Sequence, residues 1–185
     1  MADNAASSTG QTTGRSRMVT GLFRDRESAE RAYNSMSTRG YSKDDVNLMM
    51  SDDTRKRYFS DENVKDTELG TKAWEDAGKG AAIGGGVGAT LAAIAAIGTT
   101  VALPGLGLLV AGPLAAGLLG AGAGGLTGGL IGALVGAGIP EERAKLYEKG
   151  VNEGGILMGV NARNDEDAEY LENDWKTNRG EHVYR

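Results

Sequence analysis

Residues 99–113 read TTVALPGLGLLVAGP, and the fold turns on what this stretch does to the uncharged block around it. Pro104 and Pro113, with Gly105, Gly107 and Gly112 between and beside them, break any helix that reaches them. On the N-terminal side Gly80, Gly84 and Gly88 recur at every fourth position and Ala92 and Ala96 continue the row, while Ile83, Val87, Leu91, Ile94, Ile97 and Val101 form a bulky stripe. On the C-terminal side Gly120, Gly124, Gly128, Gly132 and Gly136 keep the same spacing, with Leu126, Leu130 and Leu134 as the bulky stripe and Leu119 and Ile131 nearby. A spacing of four puts residues on one face only in a helix. The pattern therefore predicts two helices, each with a small face and a bulky face, joined by the break at 99–113 as an antiparallel hairpin.

Five interior glycines cost such a helix roughly 5 kcal/mol of propensity in water. A small face offsets that by letting two backbones approach closely, with gains in dispersion and Cα–H···O contact. Lipid favours helix too, because an unpaired backbone group there costs several kcal/mol. No charged residue occurs from Gly80 to Pro140, and the segments from Gly80 to Leu103 and from about Leu106 to Ile139 each exceed the roughly 20 residues a bilayer needs. The block 72–139 thus reads as a glycine-zipper helical hairpin in a membrane. Lys65, Lys72 and Lys79 before it and Arg143, Lys145 and Lys149 after it put both flanks on the cytoplasmic side. The alternative is a hairpin packed inside a soluble homo-oligomer. Only Thr90, Thr99, Thr100 and Thr127 are polar within it, which speaks against a conducting pore.

The flanks are of another kind. Residues 1–17 are small and polar, with nothing to bury, and read as a disordered tail without the apolar core of a secretory signal. MVTGLF (18–23) reads as a strand, and Asp25 caps a helix carrying Ala29, Ala32, Tyr33 and Met36 that stops at Gly40. DVNLMM (45–50) reads as a second strand, completing β-α-β with parallel strands. Residues 51–71, polar and rich in both charge signs, read as a loop with a helical turn. After the block come a helix led by Pro140, a strand at 155–162, a helix capped by Asn164 with Ala168, Leu171 and Trp175 inward, and EHVYR as a last short strand. Setting aside the helix at 140–153, the order is β-α-β-β-α-β. The prediction is an α+β, ferredoxin-like sandwich assembled from both chain ends (18–71 and 140–185) and interrupted by the hairpin.

No reactive constellation stands out in the 185 residues, and no cofactor or metal is expected. Without cysteine there is neither a disulfide framework nor a thiolate ligand, and a net charge of −5 with two Phe and two Trp offers no footprint for nucleic acid. His182 is the sole histidine and reads as a surface residue, because zinc sites draw several His or Cys ligands. Asp52 and Asp53 end a strand, where active sites of α/β sheets often lie, yet two acids before Thr54 read better as a polar turn or cap. The acids Asp165, Glu166, Asp167, Glu169 and Glu172 read as a solvated helix start, since the glycine and spacing of a calcium loop are missing. GGGVG (84–88) lacks the Gly-Lys-Ser/Thr ending of a phosphate loop. No enzyme is expected.

Three stretches together resemble a known family: MVTGLFRDRESAERAYNSMSTRGYSKDDVNLMMSD, LPGLGLLVAGPLAAGLLG and GIPEERAKLYEKGVNEGGILMGV. They look like bacterial general stress proteins of the heat-induced (YflT) type, in members that carry a glycine-rich hydrophobic insert. Met36 stands where a leucine is commoner. The resemblance implies a bacterial protein induced under stress, without known catalytic activity, and it transfers no functional residue. The expected function is therefore a non-enzymatic stress-response protein on the cytoplasmic membrane. Its hairpin contacts lipid and drives homo-oligomerisation, and its cytoplasmic α+β domain binds a protein partner or senses a condition. The alternative is a cytoplasmic homo-oligomeric scaffold that binds lipid only conditionally.

Overall fold

Every residue of the first strand, Met18–Phe23 (β1), is buried, which a strand achieves only when both faces of its sheet are covered. The computed structural model describes residues 17–59, 101–103, 107–113, 115 and 129–185. Along these the elements are β1, helix α1 (Arg26–Thr38), strand β2 (Val46–Ser51), helix α2 (Asp52–Phe59), strands β3 (Val101–Leu103) and β4 (Leu108–Ala111), helices α3 (Gly129–Gly136) and α4 (Glu141–Asn152), strand β5 (Ile156–Asn161), helix α5 (Asp165–Thr177) and strand β6 (Glu181–Tyr184).

The strands form one α+β sheet in the order β3-β4-β2-β5-β1-β6, with every neighbouring pair antiparallel. Strand β5 lies between β1 and β2, pairing Met18 with Asn161 on one side and Val46 with Val160 on the other. The β-α-β unit at the start of the chain is thus parallel, as expected, but its two strands are held apart by one from the far end. Both chain ends build one sheet.

Side chains alternate across it. Val19, Phe23, Val46, Leu48, Met50, Ile156, Met158 and Val160 face one side, where α1 supplies Ala29, Ala32 and Met36 and α5 supplies Ala168, Leu171 and Trp175. The ring of Phe23 meets Trp175 edge-on with centroids 5.7 Å apart. Met18, Leu22, Met49, Leu108, Val110 and Leu157 face the other side, under α3 and α4. Helix α4, set aside as an extra element in the sequence, is thus the cover of the second face through Ala144, Tyr147 and Val151.

Within 99–113 the described residues are mainly strand rather than a bare helix break. Val101–Leu103 and Leu108–Ala111 are strands of a β-hairpin, with Val101 opposite Val110. Strand β4 then pairs along β2, from Leu48 opposite Ala111 to Ser51 opposite Leu108. The second helix expected over Leu106–Ile139 is corrected accordingly: 108–111 is strand, and the helix described there is α3. The physical reason is the outer edge of the buried strand β2, whose N–H and C=O groups need a partner that a helix cannot provide. Gly107 sits in the turn with φ 60°, and its carbonyl accepts from the Asp52 N–H at 2.8 Å. Gly112 ends β4 with φ 98°, where an added Cβ would lie 2.1 Å from the carbonyl oxygen of Val46. Pro113 follows as the chain leaves the sheet; Pro104 and Gly105 lie outside the described residues.

Candidate functional site

Helix α3 is the part of the glycine-rich block on which its packing can be read. A Schellman arrangement ends it: the Ile139 N–H donates to the Leu134 carbonyl at 3.0 Å, the Gly138 N–H donates to Val135 at 2.9 Å, and Gly138 has φ 89°. Leu134 and Ile139, which such a cap brings together, are both buried in the second core. With Leu130 and Ala133 they form the inward face, set among Met49, Leu108, Val110 and Leu157.

The glycines point elsewhere. Gly136 is exposed, and a Cβ there would meet nothing within 4 Å. Gly132 is half-buried, and Val135 is 44% exposed. The bulky stripe, not the small one, holds α3 to its own domain. Gly80, Gly84, Gly88, Gly120, Gly124 and Gly128 lie outside the described residues. Within a described helix, close approach through glycine occurs on α4: a Cβ on Gly150 would stand 2.1 Å from Cδ2 of Leu22. A lone glycine inside the otherwise helix-favouring EERAKLYEKGVN is the signal that could have found it.

Beneath α4 runs a polar contact. The Tyr147 hydroxyl donates to the His182 carbonyl at 2.7 Å and lies 2.7 Å from Thr20 Oγ1. Because its one proton is committed to His182, the Thr20 hydroxyl donates to it. Burial pushes the Tyr147 hydroxyl up to about 12, so it stays protonated near neutrality. His182 contributes its backbone here, in a left-handed conformation at φ 49°.

At the opposite face the acid run resolves into local contacts. Asn164 caps α5 by accepting from the Asp167 N–H at 2.7 Å. Asp167 accepts from Arg39 Nη1 at 2.5 Å and from the Tyr41 hydroxyl at 2.8 Å, so the end of α1 is tied to the start of α5. Those two bonds, Tyr41 first, hold its carboxyl below the ordinary carboxylate range against the desolvation that opposes them. Arg163 closes the same cluster, donating to the Gly40 carbonyl at 2.5 Å with its guanidinium 4.2 Å over the Tyr41 ring. Asp165 pairs with Arg17 at 2.8 Å.

Where a polar loop was expected from residue 51, Asp52 and Asp53 are the first two residues of helix α2, and the capping contact is made by Ser51, whose Oγ accepts from the Thr54 N–H at 3.1 Å. Asp52 pairs with Lys56 at 2.6 Å, and that bond holds its carboxyl low. Among the described residues no group of three or more His, Cys, Asp or Glu is placed to hold a metal, and no helix is long and apolar enough to cross a membrane. What these contacts do is fix elements to one another. Among the described residues, the outer side of α3 carries no charged group and has Val135 and Gly136 exposed. Comparison with protein-family models, with curated proteins and with solved structures gives no match.

Proposed function

We propose that this chain is a non-enzymatic bacterial stress-response protein that forms homo-oligomers through its glycine-rich segment, with the α+β domain as the platform that carries the segment and receives a partner. The observation that carries this reading is the division of α3: Leu130 and Leu134 are buried in the domain, while Gly136 is exposed with open space where a Cβ would stand. A flat, uncharged face with room above it admits a second helix at close range. The strand order β6-β1-β5-β2 within the sheet supports reading the platform as a ferredoxin-like sandwich.

In this reading the assembly is cytoplasmic and touches lipid conditionally. Pairing of β4 with β2 supports it, because residues 108–111 then stay on the same side as both flanks. A glycine-zipper hairpin inserted in the cytoplasmic membrane is the second reading, favoured by the charge-free run from Gly80 to Pro140.

The test combines fractionation with one variant. Lysate is sedimented and the pellet washed in alkaline carbonate; soluble protein is then sized beside Gly136→Leu. A uniform large particle in the supernatant, smaller in the variant, supports the assembly. Retention in washed membranes until detergent is added moves the protein to the second reading. A monomer with or without the substitution overturns both.

A further inference from the structure

We draw no further inference here: the strongest candidate, the uncharged outer face of α3 with exposed Val135 and the open Gly136, is an unpartnered small-residue face, and nothing in the structure shows what covers it.

Discussion

Tyr147 and Thr20 meet through their oxygens at 2.7 Å, 127 residues apart in the chain, in a position where Thr20 is 2% exposed. The contact crosses from the cover of the second face to the strand beneath it. Replacing Tyr147 by Phe leaves the Thr20 hydroxyl and the His182 carbonyl without this partner. The Thr20 hydroxyl is the buried one of the two, and stranding such a group costs about 1 to 3 kcal/mol. Urea unfolding of Tyr147→Phe is expected to show that loss. Thr20→Val in the same background is expected to recover part of it, and an additive double mutant would mean that the two oxygens are not coupled.

Gly150→Ala places a methyl group 2.1 Å from Cδ2 of the fully buried Leu22. In an exposed helix the same change is stabilising by about 1 kcal/mol; here overpacking reverses the sign, at about 1 to 3 kcal/mol. A lowered melting temperature for Gly150→Ala, partly restored by Leu22→Val, is the expected outcome. Unchanged melting would place α4 farther from β1 than the structure has it.

Gly112→Ala tests the attachment of the β-hairpin. The residue combines φ 98° with a Cβ position 2.1 Å from the Val46 carbonyl oxygen, so alanine costs at least about 1 to 2 kcal/mol. The expected signature is local: amide exchange quickens in 108–111 more than in 156–161, which is central to the sheet. Equal acceleration everywhere would show β4 to be inseparable from the rest.

Arg179 holds φ 64° after α5, where a helix of this kind ordinarily ends in glycine. Its side chain is exposed. Arg179→Gly is expected to stabilise the domain by about 0.5 to 1 kcal/mol, read as a raised melting temperature.

Acid sensitivity follows from Asp167. Its carboxyl is held below the ordinary range in the folded chain, by Tyr41 and then Arg39. A depressed folded value means that the contribution is complete above the unfolded value of about 3.9 and is lost as pH falls through the folded one. The urea midpoint of the wild type is expected to drop steeply below about pH 4. Asp167→Asn should start lower at neutral pH and fall less across the same interval. Parallel curves for the two proteins would assign the acid transition to other carboxylates.

Elements whose signals are local were legible in the sequence. Helix α1 begins where Asp25 accepts from the Ser28 N–H at 2.7 Å, and Gly40 follows its end with φ 79°. Helix α5 starts at its Asn164 cap, and β5 and β6 fall within the stretches 155–162 and 181–185 expected as strands. The hairpin of β3 and β4 was not legible, because a run of four apolar residues carries no period that separates strand from helix. What recruits it is the open edge of β2, a fact of tertiary structure. The two faces of α3 were visible as a pattern, but a pattern does not say which face is covered. For α4 the stripe is present as Ala144, Tyr147 and Val151, but the β-α-β-β-α-β order has no place for that helix. Why Tyr147 is a tyrosine emerges only when Thr20 and the His182 carbonyl stand opposite it.

The pairing of Leu108–Ala111 with Leu48–Ser51 also bears on how the protein can be dissected. The low-complexity block looks like a cassette that could be excised to leave a self-sufficient unit. Cutting out 80–139 would instead strip two strands from the sheet and take Leu108, Val110, Leu130 and Leu134 from beneath and beside α4. The remnant would bare the flank of Val46–Ser51 and the apolar side of Met49 and Leu157. Insolubility of such a deletion would report damage to a shared interior rather than a lost anchor. Modularity in composition is therefore not modularity in folding, and single substitutions at Gly136 separate the two where wholesale removal does not.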